Sequence, residues 1–543
     1  MLVPHLSCPS RDPVARDGWV RDKLFIMSDS EQTNRWYFIL PFLTALLLYT
    51  SYHPANIGPL AWIALIPLLI YILKEERFGR LIISLWLSGT AFFFSGLFWV
   101  HFVTWPGLVI LAIILGGYFV LFGVVVKIIQ RKLGITFYFL SIPAWWVFVE
   151  YLREWLFTGF PWFYLGHTQY QFLTIIQVVD LTGVYGLSFL IAGVNSLGAF
   201  LLCRIIAKEW RWRKAIIPLV GLILAVVVTL TYGYFRLKHI ETTPGPLIGL
   251  VQGNIEQDIK LSHNRDEIAG IHLRLSGELK RSQNPELIVW AETMCPYPVK
   301  HGLMPSEGLK EVAEACQSDM LIGVISYEKL SEGKYNLYNS AYLINDSGAV
   351  LGFYDKIHLV PVSEALPLRD IFPWLENLVL ACSGLKELPY LQSGKTIEPV
   401  KWKDYQVGVL ICYESIFPEL SRMTVSNGAD FIINVSNDGW FKDGAELEQI
   451  LAISVFRAVE NRRSFVRATN TGISAFISPR GELTVLKDPA GRLKEVSGTL
   501  ARRVALAHQN TLYTRWGDYF PFLVLVIFIL VALLKFLRIN LTK

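Results

Sequence analysis

QVGVLICYE (406–414) is a short apolar, strand-like run that ends in a thiol, Cys412, followed at once by Tyr413 and Glu414. Runs of the same kind recur on both sides of it: LIGLVQGNI (247–255), LIVWAE (287–292), MLIGVISYE (320–328), YNSAYLIND (338–346), DFIINVSND (430–438), SFVRATNTG (464–472) and SAFISPRG (474–481). Amphipathic stretches at 264–281, 307–317 and 445–461 separate them and have helical spacing. Buried strands alternating with helices argue for α/β layering rather than an all-β fold. Residues 244–505, which contain all of these runs, have a length that suits one domain.

Outside that region the composition changes. The 543-residue chain is 53% hydrophobic and only 17% charged, with mean hydropathy +0.40, whereas a soluble protein carries about a quarter charged residues. The excess lies in windows of roughly 17–25 apolar residues, long enough to cross a hydrocarbon core. Spans are expected near 36–52, 57–73, 81–102, 106–126, 135–152, 182–203, 215–235 and 518–537. This divides the chain into a polar tail (1–34), a membrane domain with seven transmembrane helices (35–240), the α/β domain (244–505) and an eighth helix with its tail (515–543). The first span reads as a span rather than a signal peptide, because no small-x-small cleavage site follows it. Met27 is a candidate alternative start.

Short cytoplasmic loops hold Lys and Arg. Lys74, Arg77 and Arg80 follow the second span, Lys127, Arg131 and Lys132 the fourth, and Arg204, Lys208, Arg211, Arg213 and Lys214 the sixth. SYHPANIGP and HFVTWPG, after the first and third spans, carry neither residue. Both termini are therefore expected in the cytoplasm and the α/β domain on the opposite side. The formal net charge of +5 resides in these loops, so it gives little support to a nucleic-acid partner. Six cysteines show no CxxC pair and no metal-ligand spacing. In an oxidising compartment Cys295, Cys316 and Cys382 could pair among themselves, while a reactive Cys412 would stay free.

Three ionisable residues close strand-like runs in order: Glu292 after LIVWA, Lys356 in YDKIHLVP, and Cys412. A carboxyl in an apolar setting has a raised pKa, which suits a general base near neutral pH; a strand-end Glu meeting solvent is the plain alternative. Lys356 could stabilise an oxyanion or form a salt bridge to Asp355 or Glu364. Cys412 needs a base or a nearby cation to become a thiolate, and a buried core Cys is the commoner fate of the residue. The ordered trio favours nucleophilic chemistry, and His358 reads as a structural histidine.

WAE (290–292), YDKIHLVP (354–361) and ICYE (411–414) resemble the three signature blocks of the nitrilase superfamily, whose members use a Glu–Lys–Cys triad. NVSNDGWF (434–441), RAVENRRSFVRATNTGISAFISPRG (457–481), TGFPWFYLGHTQY (158–170) and VVDLTGVYGLSFL (178–190) resemble its membrane-bound branch, the apolipoprotein N-acyltransferases. The likeness runs over nearly the whole chain after residue 35. Ala291 stands where that family has Pro, VSEALP where it has FGEYVP, and Gln449-Ile450 where it has Gln-His.

The resemblance implies an αββα sandwich carried by eight transmembrane helices, in a bacterial inner membrane with the catalytic domain on the periplasmic side. It implies Glu292, Lys356 and Cys412 as the triad, and Glu364 and Glu414 as supporting carboxylates. Tyr413, Asn437 and Trp440 would shape the pocket. Trp162 would line an acyl-access groove or serve as an interfacial anchor. The implied reaction passes an acyl chain from a phospholipid donor, through a thioester, to the α-amine of a diacylglyceryl lipoprotein. It needs no metal or organic cofactor, and a monomer at the bilayer is expected to perform it. The apolar stretch Leu366, Ile371, Phe372, Trp374, Leu375, Leu378 and Val379 reads either as a lid dipping into the bilayer surface or as an ordinary helix. A membrane-anchored amidase with the same triad is the rival enzyme reading. A transporter is disfavoured, because Glu150, Arg153, Glu154 and Asp180 lie at span edges rather than span centres.

Overall fold

A computed structural model describes residues 35–206, 212–257, 265–297, 299–304, 306–331, 333–366, 373–374, 376–377, 380 and 390–541. Among these, five helices are long and apolar enough to cross a membrane: Phe78–Gly96, Trp105–Leu133, Ile135–Trp155, Val184–Ile206 and Leu219–His239. The other expected spans are shorter apolar helices, at Ile39–Ser51, Gly58–Lys74 and Tyr519–Lys535. The run at 57–73 shows why apolar content alone does not make a continuous helix. Pro59 and Pro67 divide it into a 3-10 turn, Gly58–Trp62, and an α-helix, Ile66–Lys74. Proline lacks an N–H and its ring clashes with the carbonyl four residues earlier, so it fits most readily at a helix start, as Pro59 and Pro67 do here.

The second half of the chain is a four-layer sandwich. One sheet contains β1 (Thr243–Gln252), β2 (Leu287–Trp290), β3 (Val299–Lys300), β4 (Asp319–Ser331), β5 (Lys334–Ile344) and β6 (Val350–Asp355). The other contains β7 (Val400–Trp402), β8 (Tyr405–Ile411), β9 (Phe431–Ser436), β10 (Ser464–Thr469), β11 (Ala475–Ile477) and β12 (Leu483–Val485). A last strand, β13 (Gly498–Leu506), returns to the first sheet, whose order is β13-β1-β2-β4-β5-β6 with β3 on β4. The second sheet follows the order β12-β11-β10-β9-β8-β7. Both are mixed: β1, β2 and β4 run parallel, as do β8, β9 and β10; β13 and β5, and β11 and β7, pair antiparallel with the outer members of each trio, while β3 is parallel to β4.

The sheets face each other across Ile248, Leu250, Val289 and Leu321 on one side and Val407, Val409, Ile433 and Val466 on the other. Helices Arg265–Gln283 and Glu307–Cys316 cover the outer face of the first sheet, where Leu279, Val312 and Ala313 pack on Ile288, Met320 and Ile322. Helices Pro418–Ser426 and Glu446–Asn461 cover the second sheet and share one continuous core with the transmembrane bundle. Strands buried on both faces read as unbroken apolar runs, which is why the candidate strands fall within a few residues of the observed ones. Strands β3, β6, β7, β12 and β13 and helix Pro418–Ser426 carried no such signal.

Candidate active site

Strands β2 and β8, one from each sheet, and β6 bring their C-terminal ends to one edge of the sandwich. Glu292 lies two residues past the end of β2, and its backbone rests against Gly323 of β4. A Cβ at Gly323 would fall 2.5 Å from the Ala291 carbonyl oxygen and 2.6 Å from Glu292 Cα, so only glycine permits this approach. Lys356 follows β6 directly and Cys412 follows β8 directly. The adjoining backbone is strained at three points: Thr293, Val362 and Cys412 have φ of 54°, 71° and 53°. Left-handed φ in a non-glycine residue costs on the order of 1–3 kcal/mol and is retained where the surrounding structure demands it.

Lys356 is the only side chain at this edge, among the described residues, whose ammonium bonds two carboxylates. Its Nζ donates to Glu364 Oε1 at 2.8 Å and lies 3.4 Å from Glu292 Oε1, and the side chain is 1% exposed. Glu292 is held further by Asn339 Nδ2 (2.7 Å) on Oε1 and by the Asn437 backbone N–H (2.8 Å) on Oε2. Asn339 also reaches Glu364 Oε1 at 3.2 Å. Cys412 keeps partial access at the rim while protein surrounds it.

Burial works to lower the Lys356 pKa, but the negative charges of Glu292, Cys412 and Glu364 outweigh it and hold the pKa above its ordinary value. Burial pushes the Cys412 thiol well up, and Glu292 and Asp438 add to this. Lys356 and a hydrogen bond with Ser436 oppose the rise. Cys412 therefore rests as a thiol, and to act as a nucleophile it would need a base at the moment of attack rather than a standing thiolate.

Glu414 fastens the two loops together. Its carboxylate accepts from the N–H groups of Ile411 (2.7 Å), Ile357 (2.7 Å) and His358 (2.9 Å) and from the Tyr354 hydroxyl (3.0 Å). Burial raises its pKa to about 7 against the lowering effect of the His358 and Ile411 backbone donors, Lys356 and Ile357. His358 is driven down to about 4, mostly by burial, and its ring packs on Phe417 with centroids 3.9 Å apart. It is a neutral wall residue. Behind the cysteine loop, Asn434 Nδ2 donates to the Cys412 carbonyl at 3.3 Å, and Arg467 pairs with Asp438 at 2.8 Å.

The remaining expected site residues fall in different places. Asn437 joins the site through the backbone bond already given, and its side chain bonds Gln257 and Asn470. Tyr413 donates its hydroxyl to the Gly159 carbonyl, in the membrane half, at 3.3 Å. Trp440 stands 46% exposed on the turn after Asn437. Trp162 is no interfacial anchor: it is 2% exposed, and its indole N–H donates to Gln449 Oε1 at 2.8 Å. Gln449 also accepts from Trp99 (3.1 Å) and donates to the carbonyls of His53 (3.0 Å) and Gly96 (3.2 Å), joining the halves through one amide. A small pocket beside it is lined by Trp162, His53, His167, Tyr170 and Gln449, and Cys412 is not among its lining residues.

Asn339 is a functional-site residue that the sequence reading did not single out; the usable signal was an Asn at the start of the buried, apolar half of β5. Of the apolar stretch after Glu364, Leu366 is buried and Trp374 is exposed; Ile371, Phe372, Leu375, Leu378 and Val379 lie outside the described residues. Cys295 and Cys316 are free and buried in the same core, and Cys382 lies outside the described residues.

Comparison with known proteins places this geometry. Residues 247–495 match the family described as carbon-nitrogen hydrolase, and residues 44–197 match the apolipoprotein N-acyltransferase N-terminal domain. The apolipoprotein N-acyltransferase of Geobacter metallireducens is 34% identical over 530 residues, covering 94% of this chain and 98% of that protein. Those of Chlorobaculum tepidum (28% identical; 92% and 97% covered) and Pasteurella multocida (29%; 89% and 92%) are similar over almost the same length. With both halves matched and relatives aligned end to end, the chain belongs to the apolipoprotein N-acyltransferase family.

Proposed function

We propose that this chain moves an acyl group from a membrane phospholipid onto Cys412, and from there onto the N-terminal α-amine of an S-diacylglyceryl-cysteine apolipoprotein. The observation that carries the reading is a thiol on a left-handed turn at the end of β8, electrostatically coupled to a buried ammonium and a buried carboxylate.

Glu292 takes the thiol proton as Sγ attacks the ester carbonyl, and Lys356 stabilises the oxyanion. A preorganised donor of this kind is worth about 2.7–4 kcal/mol. The C–O bond to glycerol breaks, Glu292 returns the proton to the departing lysophospholipid, and an acyl thioester remains. The lipoprotein amine then attacks the thioester and passes a proton to Glu292. The C–S bond breaks and the thiol is restored. Glu364 and Glu414 hold Lys356 and the loops in register. Tyr413, Asn437 and Trp440 shape the pocket, and Trp162 supports it from the seam between the halves. Both substrates are anchored in lipid, so the bilayer concentrates them at the site and favours transfer over hydrolysis.

Residues 35–240 then form a membrane domain of seven spans, 244–505 the catalytic domain and 515–543 an eighth span with a cytoplasmic tail. The enzyme works as a monomer in a bacterial inner membrane with the catalytic domain on the periplasmic side. Intact-mass measurement after incubation with phospholipid tests the chemistry. An added acyl mass, lost on hydroxylamine treatment and absent from Cys412→Ser, is the expected result, and unchanged transfer by Cys412→Ser would refute it.

A further inference from the structure

After helix Ile135–Trp155 the chain makes an excursion, residues 156–163, that leaves the bundle and touches the catalytic half. At its tip the Gly159 carbonyl accepts the Tyr413 hydroxyl at 3.3 Å, and the Thr158 backbone meets the His358 ring. Tyr413 is the residue after Cys412, and its ring lies 5.1 Å from that of Phe417, which packs on His358. Gly159 has φ 79°. A Cβ there would sit 2.1 Å from the Glu154 carbonyl oxygen and 3.0 Å from the Phe417 ring. The turn is shaped to fit against the nucleophile loop.

One residue clasps both legs of the excursion. The Arg153 carbonyl accepts the Phe160 N–H at 2.7 Å. Its guanidinium donates to the carbonyls of Trp162 (2.7 Å) and Phe163 (3.2 Å) and lies over the rings of Tyr164 and Phe93, 5.3 and 5.5 Å from their centroids. The side chain is buried. A planar guanidinium directs two N–H groups at two carbonyls and stacks on aromatic faces, which a compact ammonium does less well.

We propose that Arg153 is a positioning residue for acyl transfer: it sets the Thr158–Gly159 turn, which holds Tyr413 beside Cys412. The inference rests on the reading of Cys412 as the acylated nucleophile. The membrane half thus completes the catalytic loop as well as anchoring it.

The test is the rate of Cys412 acylation by phospholipid in nanodiscs, followed by intact mass and divided by the number of acylatable thiols in each preparation. Arg153→Lys is expected to slow the per-site rate about tenfold, Gly159→Ala at least as much, and Tyr413→Phe several-fold. In a Tyr413→Phe background Arg153→Lys should cost clearly less than in the wild type, because the contact it supports is already gone. An equal Arg153→Lys factor in both backgrounds, or fewer sites reacting at the wild-type rate, would overturn the inference. Should Arg153→Lys and Gly159→Ala fail to fold, Tyr413→Phe decides, since it removes only a hydroxyl; an unchanged per-site rate sinks the proposal. Wild-type enzyme that gains no acyl mass would instead refute the reading of Cys412, which is a different result.

Discussion

At the seam between the halves, Asp180 accepts from Arg462 (2.8 Å), Arg236 (2.8 Å) and the Tyr232 hydroxyl (2.7 Å). Arg462 spends its other N–H groups on Gln177 and the Pro479 carbonyl. Nearby, Arg457 pairs with Glu460 at 2.9 Å and donates to the Ile416 carbonyl. Asp180 and Glu460 each face at least one guanidinium. The candidate active site has the opposite composition, one ammonium shared by two carboxylates with a thiol beside them. A buried carboxylate locked by guanidiniums, like Asp180, is held in its charged form, and removing it would leave uncompensated buried charge. A buried cluster with surplus negative charge resists forming a further anion, and so keeps its thiol protonated until a substrate makes the thiolate useful.

The contrast can be broken most sharply at Cys412. Cys412→Ala should abolish acylation, a loss of at least about 10⁴-fold, with thermal unfolding unchanged. A fall in stability without loss of transfer would reverse the assignment of the two regions. Asp180→Asn should do the converse. It strands Arg462 and Arg236 in a low-dielectric seam, costs about 3–5 kcal/mol, and leaves the per-site acylation rate untouched; thermal denaturation and intact mass together check this.

The surplus charge has a pH signature. Alkylation of Cys412 by iodoacetamide, followed against pH, should rise only in the alkaline range because the thiol is pushed up. Glu292→Gln removes a charge that raises the thiol, so the rise should move to lower pH. Lys356→Met removes one that lowers it, so the rise should move to higher pH. Shifts of the same sign in both would sink the electrostatic account. The smallest effect is expected at the exposed Trp440, where Trp440→Ala should change stability by less than about 0.5 kcal/mol. A loss comparable to Asp180→Asn would show that Trp440 is structural.

Much of this organisation was legible in local sequence. The central strands of the sandwich read as apolar runs because they are buried on both faces, and Glu292 and Cys412 each follow such a run, whereas Lys356 follows the more exposed β6. Less legible were the edge strands β7 and β12, three residues each, which are too short to show a period. In the second apolar segment the prolines interrupt a helix that its hydropathy alone would allow, a break that composition does not show. Trp162 illustrates the harder limit. Its sequence context suits a membrane-surface anchor, but its partner Gln449 lies 287 positions along the chain.

What the sequence by itself determined is therefore what depends on neighbours along the chain: apolar segments, strand candidates, and the residue types able to act as base, cation and nucleophile. Only the tertiary structure decided that Asn339 and Asn437 would hold Glu292, that Gln449 would join two tryptophans, and that a turn from the membrane half would meet Tyr413. The physical reason is that a buried polar group takes whichever partner the packing brings within hydrogen-bond reach, and that partner can lie anywhere in the chain.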